Sequence, residues 1–143
     1  AHDFVVDSKG FFKGVRKQAL ATRYFEGAAG GAVIVGSAQR CPEFAQCFDW
    51  DDAVIELPAD LDDIGGFLRA LEQQPERLAR ARLHNTVHSL RRHDWAHRWA
   101  QILQTLDLPR PTLMAERMAM LDTLATMAEQ TAVSPYIAHS VSA

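Results

Sequence analysis

Three side chains near the start of the stretch TRYFEGAAGGAVIVGS, residues 22–37, carry groups that can do chemistry together. Thr22 and Glu26 are four residues apart and Arg23 and Glu26 three apart, so on a helix they share one patch, opposite Leu20, Ala21, Phe25 and Ala28. A carboxylate such as Glu26 accepts two hydrogen bonds from a vicinal diol, and the Arg23 guanidinium can grip anionic oxygens in a bidentate fork. The small residues of GAAGG let a backbone or a ligand come close. In the preceding segment KGFFKGVRK, the cations Lys9, Lys13, Arg16 and Lys17 can draw an anion to the same strand end. The same spacing also fits a surface ion pair on a helix that needs small residues only for packing. Spacing alone leaves both readings open.

The elements that must position these groups follow from hydrophobic periodicity. DFVVDS, with Phe4, Val5 and Val6 between polar residues, reads as a buried strand. A helix is expected from about Arg16 to Ala29, stopped by Gly30 and Gly31. AVIVG is a continuous apolar run of the kind found in parallel strands covered on both faces, Pro42 opens a short helix, and AVIEL, residues 53–57, is a third strand.

After Pro58 the pattern is helical. Asp60 is placed to cap a helix carrying Ile64, Phe67, Leu68 and Leu71, and Pro75 restarts the chain into a helix with Leu78, Leu83, Val87 and Leu90 toward a core. Asp94 caps a third, whose stripe of Trp95, Trp99, Ile102 and Leu106 is expected to pack. The DLPRP segment breaks it, and an amphipathic helix runs from about Leu113 to Glu129 with Met114, Met118, Leu121, Leu124 and Ala128 on one stripe.

Alternating strands and helices imply crossovers and a parallel sheet. The fold class expected is α/β: a three-stranded parallel half of a doubly wound, Rossmann-like sheet followed by a helical C-terminal region. Residues 1–110 make the sheet domain and residues 111–143 the amphipathic helix and tail. In such sheets ligands bind beyond the carboxyl ends of the strands, the end where Glu26 lies.

With 143 residues and 48% apolar content the chain is one ordinary domain with a continuous core. A net charge of -3 and a pI near 6.1 give no general attraction to nucleic acid or acidic membranes, and the arginines between Arg77 and Arg98 read as a solvated helix face. Two cysteines, Cys41 and Cys47, without a secretory pattern point to a cytoplasmic compartment. No apolar run reaches the roughly 20 residues that span a bilayer, so membrane contact is expected to be peripheral at most.

Competing sites are weaker. His84 and His88 are four apart but lack a supporting acidic ligand, so no metal is expected. Cys41 precedes a proline at a helix start, yet no base accompanies it. No cofactor is expected.

Five blocks in order, DFVVDS, TRYFEGAAGGAVIVGS, FDWDDAVIELPAD, QQPERLARARLHN and RRHDWAHRW, resemble the C-terminal part of GT-B glycosyltransferases, in the group-1-like branch that includes spore-maturation-type proteins, over roughly residues 3 to 106. The resemblance implies a GT-B C-terminal nucleotide-sugar domain. Its substrate would be a nucleotide diphosphate sugar and its reaction sugar transfer to a hydroxyl acceptor. Glu26 takes the place of the glutamate that holds the ribose hydroxyls. Thr22, Arg23 and Arg16 become candidates for the diphosphate or sugar by proximity.

Eight residues before Glu26, where many retaining relatives carry a second glutamate facing the donor sugar, this chain has Gln18. By the same resemblance the chain starts at the fourth strand of the nucleotide domain. Its complement would be the N-terminal GT-B half or a second copy of the chain. A non-catalytic α/β interaction or assembly module derived from such a domain is the alternative reading, and Gln18 favours it.

Overall fold

The structure, a computed structural model, describes residues 20–36, 42–58 and 62–140. The strand expected around Val5, the basic segment with Arg16, and Gln18, Cys41 and Asp60 lie outside the described residues. The chain runs through α1 (Thr22–Ala29), β1 (Val35–Gly36), α2 (Pro42–Cys47), β2 (Ile55–Glu56), α3 (Ile64–Glu72), α4 (Pro75–Arg92), α5 (Trp95–Thr105) and α6 (Thr112–Ser140).

Helix α1 starts at Thr22 rather than near Arg16, because Ala21 has extended backbone (φ -73°, ψ 132°) and supplies no side-chain acceptor. Its far end closes where expected: the amides of Gly30, Gly31 and Ala32 donate to the carbonyls of Glu26, Ala28 and Gly27. Gly31 has φ +63°, and a Cβ there would lie 2.8 Å from Thr86 Oγ1 on α4. Gly31→Ala is therefore expected to cost about 1.5 kcal/mol, from the left-handed backbone alone, in urea unfolding.

Among the described residues the sheet has two parallel strands rather than the expected three, with Val35 opposite Ile55 and Gly36 opposite Glu56; the third expected strand, around Val5, lies outside them. Only part of each apolar run pairs: the Ile55 amide donates to the Ile34 carbonyl at 2.8 Å and the Leu57 amide to the Gly36 carbonyl at 2.9 Å. The run cannot extend back to Ala32, because its amide closes α1 and its carbonyl accepts from Asn85 Nδ2 at 2.8 Å. The outcome is a mostly helical α/β fold.

One core cluster centres on Ala28, Phe44, Phe48 and Ala53, with Tyr24, Phe25 and Trp50 packed around it. Its rings touch in sequence: Phe44 stacks on Phe48 at 5.0 Å between centroids, Phe25 lies 5.0 Å from Phe48, and Trp50 lies 5.3 Å from Phe48. Aromatic pairs at such separations add roughly 0.5–1.5 kcal/mol each beyond area burial.

The helical half is tied together by polar groups. Asp63, three residues beyond the predicted cap, accepts from the Gly66 amide at 2.7 Å and starts α3. Pro75 opens α4 as expected. Arg77 then grips Asp52 bidentately at 2.8 and 2.6 Å, holding that carboxyl below its usual range. Helix α4 packs against α1, α3 and α6. Near its end Arg91 donates to Asp122 at 2.9 Å and to both oxygens of Glu129 at 2.7 and 3.0 Å.

Helix α5 departs from expectation. Its buried residues are Ala96 and Ala100, whereas Trp95, Trp99, Ile102 and Leu106 are exposed. Two alanines one turn apart let α5 lie close to α6, and Arg117 on α6 fixes the approach by pairing with Asp94 at 3.0 and 2.6 Å. The bulky stripe is left on the other side. Helix α6 buries Leu121 and Ala125 and half-buries Met114, Met118 and Ala128, close to the predicted stripe, but Leu124 is exposed.

Candidate functional site

Phe25 sets the position of the chemistry-bearing end of α1. Its ring meets Phe48 on one side and the edge of His93, the residue joining α4 to α5, at 4.9 Å on the other. That contact brings the exposed face of α1 opposite the first turn of α5. Between them is a cleft of about 350 Å³ lined by Thr22, Phe25, Glu26, His93, Trp95 and Arg98.

Thr22 and Glu26 share this cleft, as their spacing predicts. Arg23 does not line it. It is exposed on the same helix, and among the described residues it forms no ion pair with Glu26. Phe25 was placed on the opposite side of α1 by periodicity, yet it contributes to the cleft wall. Arg16 lies outside the described residues.

The positive charge in the cleft comes from Arg98, which the sequence places with the arginines of a solvated helix face rather than with Glu26. Neighbouring arginines are committed elsewhere: Arg91 to Asp122 and Glu129, Arg92 to Asp49 and, at 2.7 Å, to the Gln46 carbonyl. Among the described residues the Arg98 side chain reaches Cys47 Sγ, at 3.9 Å, and has no carboxylate partner. Past Arg98 the surface continues into a second depression of about 320 Å³ that includes Gln46, Cys47, His97 and Gln101 and shares His93 and Arg98.

Asp94 has the structural role predicted for it. It accepts from the Ala96 amide at 2.8 Å, and the Arg117 guanidinium holds its carboxyl below the usual range. His93 is held by Nε2, which lies 3.0 Å from the Cys47 carbonyl. A carbonyl only accepts, so Nε2 carries the proton and Nδ1 the lone pair. Among the described residues Nδ1 is buried without a hydrogen-bond partner. Burial pushes the ring's pKa down to about 4, helped by Arg92 and Arg98, so the ring is neutral near pH 7.

His84 and His88 stand edge to face, 6.2 Å between ring centroids. His88 lies flat on Trp50, 4.3 Å between centroids and 6° from parallel, and desolvation lowers its pKa. Among the described residues no group of three histidine, cysteine or carboxylate side chains converges on one point. Nor, among them, is any helix long and apolar enough to cross a membrane.

A family model described as glycosyl transferase-like matches residues 3–104. The chain belongs to the glycosyl transferase-like family. The match runs from before α1 through nearly all of α5, so both walls of the cleft belong to this glycosyl transferase-like region, while α6 lies beyond it. No curated protein and no solved structure matches the chain. Membership supports a transferase kind, acting in glycosyl transfer in general.

Proposed function

We propose that this chain is the donor-binding part of a GT-B-type glycosyltransferase that moves a sugar from a nucleotide diphosphate to a hydroxyl acceptor. The observation that carries the reading is the pairing of two uncompensated opposite charges in one cleft: Glu26 on α1 and Arg98 on α5 face the same space, and neither is ion-paired among the described residues. A site for a simple anion would have no use for the carboxylate. A nucleotide diphosphate offers both complements, a ribose diol that donates to Glu26 and phosphate oxygens that accept from Arg98.

In this reading Thr22 adds a hydroxyl beside the ribose, and Arg98 offsets the charge that develops on the departing diphosphate. Arg23, on the rim of the same helix, and Arg16 in the preceding segment supply further positive charge. A cleft of about 350 Å³ is at the small end of ligand sites, roughly 300–1,000 Å³, so it suits the nucleoside end of the donor with the sugar projecting beyond. The acceptor side would come from the N-terminal GT-B half or a second copy of the chain.

Calorimetric titration with uridine, guanosine and adenosine diphosphates tests this directly. At least one should bind, and Glu26→Ala should weaken it about tenfold or more, the scale of hydrogen bonds to a charged group. Equal binding by wild type and Glu26→Ala, with both folded by circular dichroism, would overturn the assignment.

The alternative of a non-catalytic assembly module has its own supporting observation, the exposed apolar stripe of Trp99, Ile102 and Leu106 on α5. It predicts self-association by light scattering and no nucleotide binding.

A further inference from the structure

We propose that Trp95 is the platform on which the nucleobase of the donor stacks; the inference rests on the donor-site reading above. Trp95 is the first residue of α5 and is 76% exposed as a residue, although tryptophan normally buries most of its ring. It is not simply one member of an apolar stripe. Trp99, one turn further on and 53% exposed, does not line the cleft, whereas Trp95 forms part of the same wall as Arg98.

The surroundings of Trp95 favour a nucleoside over a protein partner. Its neighbours across the cleft are Thr22 and Glu26, and Arg98 follows it at i+3. A docked apolar helix would bury Glu26 and Arg98 without giving either a partner, at a large desolvation cost. A nucleoside has an apolar face for the indole and a polar sugar for the carboxylate. Residues at i and i+3 on a helix are about 5–6 Å apart at Cβ, a separation that one ribose bridges between base and 5′-phosphate. With Glu26 holding the diol, a base toward Trp95 and a diphosphate toward Arg98 give both charged side chains of the cleft a partner. Stacking is tolerant of base identity because each base presents a π-face, so Trp95 contributes affinity more than base selection.

The test titrates the full 143-residue chain with nucleoside diphosphates and, separately, with inorganic pyrophosphate, which lacks base and ribose. Trp95→Ala should weaken nucleoside diphosphate binding about tenfold and leave pyrophosphate binding unchanged. Trp95→Phe, which keeps a π-face, should restore most of the affinity, and Trp99→Ala should bind as wild type. Nucleoside diphosphate should also quench tryptophan fluorescence in the wild type, with the quench reduced in Trp95→Phe. If Glu26→Ala weakens nucleotide binding while Trp95→Ala does not, the stacking role falls and the donor reading stands. If no nucleoside diphosphate binds the wild type, both fall.

Discussion

Replacing Asn85 with alanine should lower the stability of the fold by about 3 kcal/mol, read as a fall in urea midpoint at unchanged slope. Asn85 is completely buried in the middle of α4, a position where a helix gains nothing from asparagine. Its two amide atoms are both used across the fold. Oδ1 accepts from Trp50 Nε1 at 2.8 Å and Nδ2 donates to the Ala32 carbonyl at 2.8 Å. The alanine variant leaves the indole N–H and the carbonyl without their partner and empties the space of a fully buried side chain; an unpaired buried polar group costs roughly 1–3 kcal/mol, and since Trp50 is half-buried and Ala32 exposed, each of the two falls in the lower part of that range. Trp50→Phe in the same background separates the two: the double variant should lose about 1 kcal/mol less than the sum of the singles, because each single breaks the same indole bond. A loss under about 1 kcal/mol for Asn85→Ala would mean that the bridge adds nothing to the fold.

Asn85 also explains why the sheet was hard to read in advance. An apolar run such as AVIVG announces an extended buried segment, but how many of its residues enter a ladder depends on which partner claims each carbonyl. Here a side chain from α4 takes the Ala32 carbonyl, and no local pattern around residues 32–36 records that. Helix ends were legible because their causes are local. Pro75 at the start of α4, Asp94 before α5 and the DLPRP break before α6 all sit within a few residues of the boundary they set. Asp63 took the capping role predicted for Asp60 because it directly precedes the apolar turn at Ile64.

Periodicity found which residues of α5 share a face and misjudged which face is covered. Large apolar side chains suggested that the tryptophan stripe packs, but close approach to α6 selected Ala96 and Ala100 instead. The candidate site divides in the same way. Thr22 and Glu26 were found from one turn of helix, since both lie on α1. Arg98 and Trp95 come from α5, brought opposite by the ring contacts of Phe25 and His93, and nothing local to either marked it as a partner of Glu26. Even the acidic residue four positions before Arg98, Asp94, gives no hint of a free guanidinium, because its carboxylate caps α5 and pairs with Arg117 on α6.

Acidification from pH 7 to pH 4 should cost the fold roughly 2 kcal/mol through His93, before the carboxylates contribute. Half-buried beside Phe25, Phe48 and Trp50 with Arg92 and Arg98 near, its ring has a folded pKa of about 4 against 6.5 for an ordinary histidine. Between those values the unfolded chain holds a proton that the folded chain refuses, so stability rises with pH across the window. The contribution is complete above about 6.5 and lost progressively as the pH falls toward 4. At about 1.36 kcal/mol per unit the ceiling is about 3.4 kcal/mol, and solvent reaching the half-buried ring brings it to roughly 2. Asp49, Asp52 and Asp94, each held low by an arginine, add stability that is lost only below about 4, as the pH falls toward their depressed folded values. The two groups therefore separate along the pH axis. His93→Phe, which keeps a ring in the cage and removes the titration, should flatten most of the slope in urea midpoint between pH 6.5 and 4.5. His88, also lowered by desolvation, accounts for the remainder. An unchanged slope in His93→Phe would show that the ring takes up its proton without resistance from the fold. Because the same ring lines the Glu26 cleft, that result would also remove the reason to treat His93 as a neutral wall of the site.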